Sequence, residues 1–231
     1  MTKANSIRLK LTILLLVNSS CRSIVDTVGV GSQERDLPNQ VIVVSVRGNV
    51  ELLRNGEASK PVVTGLSIKP YDVLGTSTNG SVEVRFLKAS CAIQLAGDTV
   101  VAFEEINLVK GQGATRYSNT TVSLKKGRME SYIKRPRRRS QFIFKTDSAV
   151  NVLSEKGKAH FALYADGTLV VGRHSIPVKQ IRVVVGYAPA FFVKPGEVLK
   201  ANLERAEKAS PHVLDEIDTI GSRLQKLAND S

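Results

Sequence analysis

The chain has 231 residues, 42% of them hydrophobic and 23% charged, which excludes disorder throughout and leaves material for one large or two small domains. Aromatic residues make up only 5% and Trp is absent, so Val, Ile, Leu and Thr must build the core, and Val and Ile favour strands. The formal net charge of +12 favours anionic partners such as phospholipid headgroups, phosphorylated glycans, acidic proteins or nucleic acid, and charge alone does not choose among them.

Residues 1–20 read as an export signal. Lys3, Arg8 and Lys10 form a basic start, Leu11-Thr12-Ile13-Leu14-Leu15-Leu16-Val17 a short apolar run, and Asn18-Ser19-Ser20 the small residues before Cys21. A membrane span needs about 20 apolar residues, and this run is far shorter. Ser19 and Ser20 before a cysteine resemble a bacterial lipobox, which departs from its usual apolar residue at Asn18. Lipidation of Cys21 is the expected outcome, and an ordinary secretory cut nearby with Cys21 left free is the alternative. The mature chain is expected in the periplasm or on the outer membrane, held by a lipid anchor. Residues 21–39, rich in Gly, Ser, Pro and mixed charges, read as a flexible tether.

From residue 40 the chain repeats an apolar or alternating run followed by a turn signal. Val41-Ile42-Val43-Val44 leads towards Asn55-Gly56, and Asn79-Gly80 precedes the alternating Val82-Glu83-Val84-Arg85-Phe86. Cys91–Leu95 and residues 99–103 flank Gly97-Asp98. Phe161-Ala162-Leu163-Tyr164 and Thr168-Leu169-Val170-Val171 flank Asp166-Gly167, a hairpin signal. Ile181–Val185 and Phe191-Phe192-Val193 close the series. The polar stretch 110–121 reads as a divider between two halves. Short strands separated by turns argue for an antiparallel all-β body over residues 40–199.

The period changes in residues 200–231. Residues 197–208 are compatible with helix, and Ser210-Pro211 supplies an N-cap with proline at the first helical position. Leu214, Ile217, Ile220, Leu224 and Leu227 then recur at spacings of 3, 3, 4 and 3, one apolar stripe for the β body or for a partner.

Several segments carry a resemblance. Gly48-Asn49-Val50 matches a Gly-x-Val opening. Gly65-Leu66-Ser67-Ile68-Lys69-Pro70-Tyr71-Asp72-Val73-Leu74-Gly75-Thr76 matches a Gly, apolar, Gly-Asp, apolar, Thr signature in which Tyr71 stands at the second Gly. Val122 to Met129 around Gly127, and Phe142-Ile143-Phe144-Lys145-Thr146, continue the pattern, while residues 155–161 alter it. In this order the pieces resemble the FecR family, whose founding members are periplasmic regulators of ferric-dicitrate uptake, and the likeness covers residues 40–199. It implies an antiparallel β-sandwich or β-roll of two FecR-like halves, a C-terminal α-helical tail, no cofactor, and signalling or binding through protein contacts. The iron-uptake regulators carry a cytoplasmic anti-sigma segment and a membrane span ahead of this domain. This sequence has neither, so an envelope-side binding or scaffold role is the expectation.

One constellation stands out chemically. Lys134, Arg135, Arg137, Arg138 and Arg139 surround Pro136, a run expected as a loop or strand-end protrusion that is either simply solvated or docks on an anionic membrane or envelope glycan. Nucleic acid is the weaker partner, because no aromatic platform is interleaved. His160, Asp166 and His174 match no metal-ligand spacing and are expected at the surface. Glu104 and Glu105 are expected on opposite faces of a strand, and Cys91 as a small buried hydrophobe. No nucleophile elbow or phosphate-cradling glycine loop is present, so the expected function is non-enzymatic.

Overall fold

The computed structural model describes residues 37–38, 40–54, 56–87, 90–110, 116–135, 140–153, 157–182, 189–201 and 205–229. The export segment, Cys21, Arg137, Arg138 and Arg139, and residues 183–188 of the closing strands lie outside the described residues. The apolar runs become strands β1 (Leu37–Pro38), β2 (Val41–Arg47), β3 (Val50–Leu53), β4 (Lys60–Pro61), β5 (Ser67–Ile68), β6 (Val73–Thr76), β7 (Ser81–Phe86), β8 (Cys91–Leu95), β9 (Val100–Lys110) and β10 (Arg116–Lys126). They continue as β11 (Arg128–Arg135), β12 (Gln141–Lys145), β13 (Ala149–Val152), β14 (Gly157–Tyr164), β15 (Leu169–Val171), β16 (Val178–Arg182), β17 (Ala190–Val193), β18 (Glu197–Leu199) and β19 (Glu207–Lys208), before helix α1 (Pro211–Asn229).

The strands form two sheets. Sheet I runs β17-β16-β13-β12-β10-β9-β6-β3-β4, with β1 also on β9, and sheet II runs β19-β18-β15-β14-β11-β8-β7-β2-β5. Alternating burial turns one face of each sheet inwards: in β3, Val50 and Leu52 are buried while Glu51 and Leu53 are exposed. The inner faces share one apolar cluster, so the body is a β-sandwich. Aromatic pairs cross it, Phe86 against Phe103 at 6.3 Å between centroids and Phe144 against Phe161 at 5.1 Å, edge to face.

The chain changes sheet at tight corners that stack on one another. Gly48 (φ +63°) and Gly127 (φ +81°) sit at two of them, and a Cβ on either would collide with the neighbouring corner. Threonines tie the corners together. Thr76 Oγ1 donates to the Ala96 carbonyl at 2.6 Å and accepts from the Thr99 N–H at 2.9 Å. Thr99 Oγ1 donates to the Arg128 carbonyl and accepts from its N–H, both at 3.1 Å. Each hydroxyl thus satisfies backbone groups that a sheet-to-sheet step takes out of the ladder.

Several details depart from the sequence expectations. β12 lies parallel to β10, because β11 crosses to sheet II and the chain returns alongside β10 in the same direction. Sheet I is therefore mixed. The expected divider is partly strand, since β10 begins at Arg116. Residues 197–199 and 207–208 pair as strands β18 and β19 instead of continuing a helix. The last residues of the expected tether, Leu37–Pro38, pair with Leu108 and Asn107 of β9.

Helix α1 begins where Ser210-Pro211 places it, with the Leu214 N–H donating to the Ser210 carbonyl at 3.1 Å. Its buried residues are Leu214, Ile217, Gly221, Leu224 and Ala228, a 3-4-3-4 spacing, while Ile220 and Leu227 of the expected stripe lie half-buried beside it. This row covers the outer face of sheet II, where Ala162 and Val170 meet Leu214 and Ile217, and Ala92 and Tyr132 meet Leu224 and Ala228. Among the described residues no helix is long and apolar enough to cross a membrane.

Candidate functional site

Two regions concentrate polar chemistry, the margin formed by β3, β4, β5 and β6, and the layer between sheet II and α1. At the margin the loop before β6 is fixed by Asp72. Its carboxylate accepts the Lys69 N–H at 2.8 Å, and its own N–H donates to the Lys69 carbonyl at 3.2 Å. Arg54, just past β3, closes the loop with Nε on Oδ1 at 2.8 Å and Nη2 on Oδ2 at 2.6 Å, and its Nη2 also reaches the Ser67 carbonyl at 2.9 Å. Asp72 is fully buried, so the bidentate pair satisfies a charge that burial would otherwise penalise.

This loop holds Tyr71 in an unusual pose. Its φ is +70°, a left-handed conformation that favours glycine, and its N–H donates to the Phe103 carbonyl at 2.6 Å while the Phe103 N–H returns to the Asp72 carbonyl at 2.9 Å. The Tyr71 side chain is 72% exposed, and the same margin exposes Val63 at 61% and Leu53 at 43%. These three come from a single stretch of β3–β6, whereas Phe192 is the other large hydrophobic with high exposure among the described residues. A shallow groove of about 280 Å³ lies beside the margin, lined by Asn49, Glu51, Gly75, Thr76 and Ser77, and Gly75 leaves it open because nothing lies within 4 Å of where its Cβ would be.

Beneath α1, the outward residues of β11 and β14 form a buried layer. Arg128 Nη2 lies 2.5 Å from Glu130, and Arg128 Nη1 lies 3.0 Å from Glu216 of the helix. Arg128 also packs over the Tyr164 ring at 5.4 Å. Burial pushes the Glu130 carboxyl up to about 7, with Glu216 adding to the rise and Arg128 opposing it. His160 packs edge-on against Tyr132 at 4.9 Å, and burial, aided by Lys158 and His174, lowers its imidazole to about 4 against the pull of Asp218. Gly221 of α1 sits directly over that ring, where a Cβ would overlap it. The rim is ionic: Arg223 bridges Glu83 at 2.7 Å, and Arg173 bridges Asp215 at 2.6 Å and Asp218 at 3.3 Å. The layer holds the helix on the sheet, and its two most perturbed groups face packed protein.

The residues singled out in the sequence are distributed differently. Lys134 and Arg135 are the last two residues of strand β11, opposite Lys158 and Gly157 of β14, so of the two expected placements they take the strand end. There β14 offers the run a backbone partner up to the residue before Pro136. Arg137, Arg138, Arg139 and Cys21 lie outside the described residues. Cys91 is fully buried, and burial pushes its thiol far up, as befits a small core hydrophobe. His160 is not at the surface but 4% exposed, because α1 covers it, while His174 and His212 are exposed. Among the described residues no cluster with metal-binding potential occurs. Glu104 and Glu105 share one face, since Ser123 and Thr121, two residues apart on β10, hold them respectively. A bulge in the β9–β10 register makes Glu104 the extra residue and cancels the alternation. Sequence reasoning missed Arg54 altogether. Its partner Asp72 was visible as a turn residue, but no local pattern pointed from one to the other.

Comparison with protein-family models, with curated proteins and with solved structures finds no match to this chain.

Proposed function

We propose that the chain is a non-enzymatic, envelope-anchored interaction or scaffold module with a FecR-like β body, exported by residues 1–20 and held at Cys21. It contacts another envelope protein through the margin of Leu53, Val63 and Tyr71. The observation that carries this reading is Tyr71. A residue locked at φ +70° and 72% exposed gives up backbone stability while its ring packs little of its own domain. Strain held at an exposed aromatic beside other exposed apolar groups is the pattern of a binding anchor, and tyrosine is enriched at such anchors. The buried polar residues fit the same reading, because Thr76, Thr99 and Asp72 all serve turns and corners.

Placing a photoreactive amino acid at 53, 63 or 71 in cells tests the reading. It expects the same discrete cross-linked protein from these positions and none from an exposed position elsewhere, such as Lys208. Equal, diffuse cross-linking from all positions would refute it. Anchoring is tested separately by labelling with a fatty-acid probe, which the wild-type chain takes up and Cys21→Ser does not.

A second reading, binding of an anionic envelope polymer, draws on one feature. Lys134 and Lys158 stand directly opposite each other across β11 and β14, both exposed, at the start of the arginine run. Like charges so placed repel, and an anionic ligand would relieve that repulsion. If changing Arg135, Arg137, Arg138 and Arg139 to Ser left binding to wall sacculi and its salt dependence untouched, this reading would be finished.

A further inference from the structure

The two outer faces of the sandwich differ. Helix α1 lies on sheet II, whereas the outward residues of sheet I across β12, β13, β16 and β17 remain partly or largely exposed. The register aligns them in rows. Ile143, Val152, Lys179 and Phe192 form one row, and Lys145, Val150 and Ile181 form the next. Phe192 is 55% exposed on the outermost strand, with Lys179 Nζ 6.0 Å from its ring centroid.

The four strands of this quarter themselves carry only basic charges. The sequences of the four strands are QFIFK, AVNV, VKQIR and AFFV, which contain no acid; Lys145 and Lys179 stand in the outward rows, while Arg182, opposite the buried Ala149, belongs to the inward one. Of the nearby acids, Glu104 of β9 pairs with Lys145 at 2.8 Å and Asp147 of the β12–β13 turn pairs with Lys125 at 3.3 Å, while Glu51 lies at the other end of the sheet on β3; Lys179 is the cation set beside Phe192. The chain as a whole carries +12. An apolar face with an exposed aromatic and lysines whose stems lie along it matches the boundary of a bilayer bearing negative headgroups, where the ring enters the acyl margin and the ammonium stays with the phosphates.

We propose that this face of sheet I, centred on Phe192 and Lys179, docks on an anionic phospholipid bilayer. The docking rests on the envelope reading given above and assigns a second surface to it. The domain lies with β12, β13, β16 and β17 on the membrane, and the Leu53–Tyr71 margin, at the other end of sheet I, stays free for a protein.

The chain contains no Trp, so Phe192→Trp adds a lone fluorophore at the proposed contact. The full chain carrying Cys21→Ser, which removes any acyl contribution, is mixed with vesicles of brominated phosphatidylglycerol and phosphatidylcholine, or of brominated phosphatidylcholine alone. Quenching and a blue shift are expected with the anionic vesicles only. Adding Lys179→Glu should raise the lipid concentration for half-quenching at least about tenfold, since each basic residue near an anionic surface contributes about 1 kcal/mol and the reversal acts twice. Tyr71→Trp in the same background should stay unquenched, and Phe192→Ser should reduce sedimentation with the anionic vesicles at an unchanged unfolding midpoint. An unquenched Phe192→Trp, equal quenching of Tyr71→Trp, or equal quenching by neutral vesicles would overturn the proposal. Silence at 192 with a discrete cross-link from 71 sinks the membrane face alone; quenching at 192 without any cross-link from 71 sinks the protein-contact reading alone.

Discussion

Arg54 and Asp72 meet in a two-point clasp, Nε to Oδ1 at 2.8 Å and Nη2 to Oδ2 at 2.6 Å, that joins the end of β3 to the turn before β6. The carboxylate is buried and also holds the Lys69 N–H, so its removal strands a guanidinium and a backbone donor together. Asp72→Ala is expected to cost about 3 kcal/mol. Arg54→Ala should cost a similar amount, and the double variant little more than either single one. Urea unfolding midpoints check this, and additive losses would show that the clasp does not act as a unit.

Tyr71 leads to the opposite sign. Its left-handed backbone suits glycine, and its ring is mostly exposed, so Tyr71→Gly should stabilise the fold by about 0.5–1 kcal/mol after the extra freedom of glycine in the unfolded chain is subtracted. Tyr71→Val should destabilise it, because a β-branched residue tolerates this φ worst. Thermal unfolding of the two variants separates these outcomes.

Gly221 reverses the ordinary propensity rule. Glycine inside a helix costs about 1 kcal/mol relative to alanine, so an exposed site would gain from Gly→Ala. Here the added methyl meets the His160 ring, and Gly221→Ala should instead cost about 2 kcal/mol by overpacking. Combining it with His160→Ala should recover stability relative to the sum of the single changes. Simple additivity in a double-variant cycle would mean that α1 does not seat on the histidine.

The buried layer also predicts how stability follows pH. Glu130 titrates at about 7 when folded against 4.5 ordinarily, so its contribution is complete below 4.5 and is lost as pH rises through about 7. His160 titrates at about 4 against 6.5, so its contribution is complete above 6.5 and is lost as pH falls towards about 4. Between 4.5 and 6.5 the two slopes oppose, leaving the wild type nearly level. Glu130→Gln should therefore lose stability on acidification across that window, and His160→Gln should gain it. Urea midpoints across the window test this; slopes of the same sign in both variants would contradict it.

The architecture was legible because its signals are local. Asp166-Gly167 marked the β14–β15 hairpin, Cys91 sat in an apolar run, and Ser210-Pro211 set the start of α1. What escaped depended on distant partners. His160 is buried only because a helix some 60 residues later covers it, and Arg54 matters only because Asp72 folds back to it. The bulge that puts Glu104 and Glu105 on one face arises from register with β10, which periodicity along β9 cannot encode. The α1 stripe was legible, with Leu214, Ile217 and Leu224 buried and Ile220 and Leu227 packed beside them, but Gly221 and Ala228 do not register as apolar anchors although close approach to the sheet requires small residues there. Of the proposed contact margin, Tyr71 stood out as an exception at a glycine position, but its exposure beside Leu53 did not.

The most direct test of the contact margin combines stability and capture in one variant. A photoreactive residue at 53 is cross-linked in cells with Tyr71 intact and with Tyr71→Gly. The account predicts that the variant unfolds at a higher temperature while the cross-linked partner is lost or falls at least several-fold, because the strained tyrosine is kept for binding. An undiminished cross-link in the more stable variant would contradict it.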